Sequence, residues 1–351
     1  MAERTPAPPF PSDYRNHMMK FGLGLCMQQL QGEDMTVRFQ ELVQQVRLAK
    51  QLGFVSVSAS QHYLSAPDQY IQPIPTLSRL VDETDGMALI LGVVVLPLQH
   101  PLSLAEDVAT LDVISGGRVV MGVALGYRDE ENEAFNLNPR KRVSRFEESL
   151  EIVKQLWEGD PVTFEGQHFQ MKDVQISCRP AQRPRPRIAI GASIEKGIRR
   201  AARIGDSWVC APHATIETVK SQQAFYYECL DEFGKRRPRG ANLARECYVA
   251  PTYREAIRGG HKYISGKYKS YHEWGQDDAM PDDETFVLEA EELARDRFVV
   301  GDPKAVIDEI QRYKEELGLT SMGFRVQWPG MANAEVLRTI RLLGEEVLPH
   351  V

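Results

Sequence analysis

Four short segments carry the residue types that could do chemistry. Ser60-Gln61-His62-Tyr63 places an imidazole just past a run of apolar residues. A histidine there can take a proton near neutral pH or hydrogen-bond a ring carbonyl. It can equally do no more than cap a strand. Leu96 to Pro101 sets Gln99-His100 between two prolines, and reads as a rigid turn. In Gly122-Val123-Ala124-Leu125-Gly126-Tyr127-Arg128, two glycines let backbone approach a flat ligand closely. Gly191-Ala192-Ser193 precedes a helix that begins near Ile194. A glycine, a hydroxyl and the amides of a helix start make a phosphate cradle, although such a serine is more commonly an ordinary helix cap.

Other groups read as structural. Asp129, Glu130, Glu131 and Glu133 form an acidic run of the kind that faces solvent. His213, His261 and His272 lack metal-ligand spacing, so no metal is expected. Cys26 and Met27 end the first apolar run and could floor a pocket. There is no Walker or G-x-S-x-G motif.

These segments need elements to position them. Apolar runs at Phe21–Cys26, Phe54–Ala59, Ala88–Leu96, Val119–Ala124, Ile188–Ile190, Trp208–Ala211, Glu246–Ala250 and Met322–Gln327 read as eight strands. Between them lie helical patterns: Leu42, Val46 and Ala49; Leu104, Val108 and Leu111; Phe146, Leu150, Val153 and Trp157; Val306, Ile307, Ile310 and Leu317. Asp302 and Pro303 mark the start of the last. Short buried strands alternating with helices predict an α/β fold, a (β/α)8 TIM barrel with insertions. A doubly wound open sheet is the runner-up, but no G-x-G-x-x-G follows the first strand. In a barrel the site lies where strands end, which is where the four segments fall.

Residues 1–17 read as a flexible, Pro-rich tail, and 18–351 as a single barrel domain. Residues 160–186 form a polar excursion, and residues 251–297 read as a lid-like insertion with Tyr263, Tyr268, Tyr271 and Trp274. The 351 residues are 42% apolar, enough for a large core. A net charge of −7 argues against a nucleic-acid partner. The longest apolar run is too short to cross a membrane, and no secretory signal opens the chain. Five scattered cysteines suit a reducing compartment, so the expected location is cytoplasmic.

Several motifs in order carry a family likeness. LPLQHPLSLAEDVATLDVISGGRVVMGVALGYRDEENEAF, RFEESLEIVKQLWEGDPVTFEGQHF, RPRPRIAIGASIEKGIRRAARIGDSWV and GDPKAVIDEIQRYKEELG resemble the luciferase-like flavin-dependent oxidoreductases. The resemblance covers about Met19 to Pro349 and implies the same barrel. It implies FMN or the deazaflavin F420 bound at the mouth. His62 falls where the luciferases hold a catalytic histidine within Glu-His-His-Phe, and where F420 sugar-phosphate dehydrogenases hold Asp-His-Phe. Ser193 maps onto the serine that binds the flavin phosphate. Leu125 stands where luciferases have an arginine, so the phosphate would rely on Ser193, local amides and a cation such as Arg128 or Lys196. Tyr127 and Ala66 stand where the sugar-phosphate dehydrogenases have a glutamate and a tryptophan, which weakens that particular activity.

The resemblance thus implies a flavin-dependent monooxygenase using reduced FMN and O2 on a small organic substrate. His62 would act as general base or stabilise a peroxyflavin. Leu96, Ala124, Gly126, Tyr127, Gly191, Ala192 and Ser193 would bind the cofactor. Expected partners are a separate flavin reductase and a second copy of the chain, a homodimer or higher. The alternatives are an F420-dependent reductase or dehydrogenase, and a non-catalytic flavin-binding protein.

Overall fold

Runs of branched and small apolar residues, bounded by glycine, proline or polar turns, set the strands. The computed structural model describes residues 19–273, 285–288 and 290–351. In chain order its strands are β1 (Lys20–Gly24), β2 (Gln28–Gln29), β3 (Ser56–Ala59), β4 (Gln69–Tyr70), β5 (Ala88–Val95), β6 (Val119–Ala124), β7 (Val162–Glu165), β8 (Gln170–Val174), β9 (Arg187–Gly191), β10 (Ser207–Val209), β11 (Ala241–Val249), β12 (Phe298–Gly301) and β13 (Leu319–Arg325). The helices are α1 (Met35–Gln51), α2 (Pro73–Arg79), α3 (Pro101–Ile114), α4 (Asp129–Ala134), α5 (Arg142–Glu158), α6 (Glu195–Ile204), α7 (Ile216–Glu232), α8 (Tyr253–Glu273), α9 (Ala290–Ala294), α10 (Pro303–Leu317) and α11 (Asn333–Leu342).

One sheet takes the order β10-β9-β6-β5-β3-β1-β13-β11-β12, and all its ladders are parallel. Parallel neighbours need a crossover, and the intervening helices supply it. This is the α/β TIM-barrel class, with nine strands rather than the eight expected. The extra one, β12, is the four residues Phe-Val-Val-Gly directly before the Asp302-Pro303 helix start. It ladders with Glu246–Val249 of β11. Among the described residues no ladder joins β10 to β12, so the curled sheet has a seam there. Two antiparallel pairs, β2 with β4 and β7 with β8, decorate it. The second lies inside the excursion that had shown no strand pattern.

Helix faces pack the outside of the sheet. Leu42, Val46 and Ala49 of α1, Leu104, Val108 and Leu111 of α3, and Phe146, Leu150, Val153 and Trp157 of α5 are all buried. Val306, Ile310 and Leu317 of α10 are buried too, while Ile307 is partly so. Each fully buried side chain of this size contributes roughly 1.5–3 kcal/mol. The Asp302 carboxylate accepts the Ala305 amide at 3.0 Å and Pro303 opens α10, as the residue types require. Gly159 ends α5 at φ +94°, a backbone that suits glycine.

Much of the expected lid is α8, which packs Ala256, Ile264 and Tyr268 into the core. Tyr263 lies parallel to Trp328 at 6.5 Å. These two tyrosines therefore pack the body of the domain. The tail and Trp274 lie outside the described residues.

Candidate active site

β3 delivers His62 three residues past its end, and a carboxylate from α4 meets it there. His62 Nδ1 is 3.3 Å from Glu131 Oε1. The same oxygen accepts the Tyr63 amide at 2.9 Å and Arg128 at 3.4 Å. Arg128 also donates to the carbonyls of Tyr63 at 2.6 Å and Leu64 at 3.2 Å, and to Glu130 at 2.7 Å. Burial alone would raise the Glu131 carboxyl. The hydrogen bonds from His62 and the Tyr63 amide, with the charges of His62 and Arg128, outweigh it and hold the group below its ordinary value. An ionised Glu131 favours the His62 tautomer with its proton on Nδ1, leaving Nε2 as the basic nitrogen.

The loop is fixed from the other side by Gln61. Its Oε1 accepts the Val95 amide at 3.0 Å and Gln99 Nε2 at 3.3 Å. Both Gln61 and Gln99 donate to the Tyr63 hydroxyl, at 3.2 and 3.1 Å. Gln72 Nε2 donates to the His62 carbonyl at 2.9 Å. Tyr70 and Tyr127 stand edge-on to the imidazole, with ring centroids at 5.7 and 5.9 Å. The side chain of His62 keeps 16% of its exposure, against 2% for Glu131. The base is reachable and its partner is not.

The other segments converge in part. Gly126 has φ +75°, and a Cβ there would lie 2.6 Å from Val95 Cγ1. A Cβ at Gly122 would lie 2.3 Å from the Leu91 carbonyl oxygen, so this glycine serves strand packing. A Cβ on Gly191 would lie 3.5 Å from that of Ala124, which brings the ends of β6 and β9 side by side. Leu96 is fully buried in the core. Ser193 does not cap α6: the cap residue is Ile194, and no side chain bonds there. The amides of Ser193 and Ile194 have no backbone acceptor among the described residues. The carbonyls of Ala192 and Ser193 are held by Trp208 Nε1 at 2.8 Å and Gln222 Nε2 at 2.7 Å.

Glu131 corrects the reading of the acidic run as a solvated face. It is buried because Arg128 three residues earlier and the Tyr63 amide both bind its carboxylate, and the i,i+3 spacing of Arg128 and Glu131 is the one signal in the sequence. Arg128, one of two candidate cations for a phosphate, is engaged with protein oxygens. Lys196 is exposed in the first turn of α6.

The family model for luciferase-like monooxygenases matches residues 19–321. The chain belongs to that family. This luciferase-like protein is accordingly an oxidoreductase of the flavin-dependent class. A solved monooxygenase, RslO1 from Streptomyces bottropensis, superposes with a TM-score of 0.80 at 26% identity, covering 95% of this chain and 99% of that one. The oxygenase component of the flavin-dependent trigonelline monooxygenase of Acinetobacter baylyi is 24% identical, over 94% of this chain and 95% of its own. An F420-dependent glucose-6-phosphate dehydrogenase of Microbacterium testaceum is 29% identical, over 87% of this chain and 91% of its own. No helix among the described residues of the luciferase-like chain is long and apolar enough to cross a membrane.

Proposed function

We propose that this chain is the oxygenase component of a two-component flavin monooxygenase, taking reduced FMN from a separate reductase and oxygenating a small organic substrate. The observation that carries the reading is the His62–Glu131 pair at the strand ends, with Tyr127 edge-on beside it. A monooxygenase and an oxygenase component are also among the proteins it resembles over nearly its whole length.

The residues fit the cofactor. Ser193 has a hydroxyl not used as a cap, next to amides without a backbone acceptor, which suits a phosphate. Gly191 and Ala124 present small surfaces where strands end, which suits a flat ring. Ser193, Gly191, Ala192, Ala124, Gly126 and Tyr127 would hold it, with Leu96 packed behind. Bound there, reduced flavin supplies two electrons and the site at which O2 is activated.

The chain's own contribution is a proton and a dry surface. His62 takes or returns a proton at Nε2 while Nδ1 stays on Glu131. Glu131 stabilises the charged imidazole at the moment it forms. Arg128 holds the carbonyls of Tyr63 and Leu64, so the loop cannot swing the imidazole away. Tyr70 and Tyr127 shield two sides from water. The active form would be a homodimer in the cytoplasm.

Mixing the purified protein with reduced FMN, then with reduced F420, under controlled oxygen tests the assignment. Flavin-dependent oxygen uptake coupled to a screened organic substrate is the expected outcome. The second reading, supported by the F420-dependent relative, is hydride transfer. Turnover with F420 and no oxygen uptake would establish it and overturn ours. Stable FMN binding with no turnover of any kind would mark a non-catalytic flavin binder.

A further inference from the structure

A cavity of about 690 Å³ opens at the other end of the strands. Its wall includes the first residues of β9, β10 and β11, namely Arg187, Ser207 and Ala241, whereas His62 and Ser193 follow strand ends. It lies at the sheet's seam, beside the three-residue β10. The volume is that of a small-molecule site.

The wall is cationic. It contains Arg187, Lys235, Arg236, Arg237 and Arg239 against one acid, Asp206, in a chain of net charge −7. Asp206 is already occupied: Arg185 holds it through two bonds of 2.6 and 2.9 Å, and it accepts the Ile188 amide at 2.7 Å. Arg237 pairs with Asp231, and Lys235 donates to the carbonyls of Arg203 and Gly205. Arg187, Arg236 and Arg239 are exposed, and among the described residues no carboxylate pairs with them. Guanidinium groups set around one cavity repel one another, and an anion bound among them relieves that repulsion. The inner wall is aromatic: Trp208 and Tyr226 lie 5.5 Å apart at 36°, with Tyr227 at 6.1 Å from Tyr226.

We propose that this cavity is a second ligand site, separate from the mouth, for a phosphorylated aromatic metabolite of nucleotide size. Arginine forks match phosphate oxygens in pairs, and the half-buried Trp208 and Tyr227, the latter under the Arg237 guanidinium at 5.3 Å, give a ring apolar surface to pack on.

The probes are ADP and inorganic pyrophosphate, titrated by calorimetry into the full chain. Saturable binding is expected, tighter for ADP, weakening by at least about 10-fold in the double variant Arg236→Ala/Arg239→Ala. Both substitutions are on exposed loop positions, and circular dichroism checks that the fold survives. Ser193→Ala, at the opposite end, must leave ADP affinity unchanged. Equal affinity in the double variant, or no saturable binding by either probe, overturns the site. Loss of ADP binding in Ser193→Ala places the ligand at the mouth and overturns it too. Equal affinity for ADP and pyrophosphate overturns the aromatic part.

Discussion

Two histidines lie a few residues beyond strand ends and meet opposite surroundings. His62 follows β3, is partly exposed, and has Nδ1 against the Glu131 carboxylate. His213 follows β10 and is buried, with ring centroids 4.9 Å from Phe286 and 6.3 Å from Tyr268. Its Nδ1 has no hydrogen-bond partner among the described residues, and the charges acting on it are the cations Lys267, Arg245 and Arg297. Burial first, then those cations, pull its pKa down to about 3. The same residue type at a similar place in the repeat is a reachable imidazole paired with a carboxylate in one case and a buried neutral wedge in the other. The difference lies in what packs next to the strand end: α4 brings a carboxylate to His62, α8 a lysine to the neighbourhood of His213.

Removing the imidazole at the first position breaks the comparison most sharply. His62→Ala should keep flavin affinity and lose about 10²–10⁴-fold in turnover, measured under saturating cofactor. Unchanged turnover would take His62 out of the chemistry and leave it a strand cap. Glu131→Gln keeps the shape and removes the charge. It should lower kcat by about 10- to 100-fold with KM for the organic substrate little changed. The double variant His62→Ala/Glu131→Gln should be no slower than His62→Ala alone, because the carboxylate acts only through the imidazole. Fully additive losses would show that Glu131 has a separate task. A smaller effect belongs to the far end of the site: Ser193→Ala should weaken FMN binding by about 10-fold or more, with melting temperature retained. Equal affinity would remove Ser193 from the phosphate cradle.

The two ends of this comparison were unequally legible. His62 and Ser193 stood out because a polar residue just past an apolar run has few places to go in a barrel. β6 was readable to the residue, since Val-Val-Met-Gly-Val-Ala is framed by Gly116-Gly117 and a polar turn. β12 was not, because four residues fused to a helix start carry too little pattern, and its pairing with β11 is a non-local event. The β7–β8 hairpin was hidden for a similar reason, its strands being mostly exposed and polar. Gly126 was noticed as a ligand-facing glycine, yet its positive φ and the closeness of Val95 already demand glycine there. Glu131 escaped because its burial is decided by Tyr63, some seventy positions earlier in the chain. The charge of α4 says only that its helix is acidic; which of its acids turns inward is settled by tertiary packing.

The quiet histidine offers the last test. A folded pKa near 3 against an ordinary 6.5 means the unfolded chain binds the His213 proton more readily between those values. The stability that follows from keeping His213 neutral is therefore fully present above about pH 6.5 and is lost as pH falls toward 3. The span corresponds to on the order of 5 kcal/mol. His213→Phe places an apolar ring among Phe286 and Tyr268 and removes the proton from the account. At pH 7 its urea midpoint should lie close to that of the parent chain, since the imidazole Nδ1 has no partner to lose among the described residues. Between pH 6.5 and 4 the parent should lose stability faster than the variant, with the two midpoints drawing apart as pH falls. Parallel curves would mean that His213 gains its proton without leaving the fold, and the contrast with His62 would then rest on exposure alone.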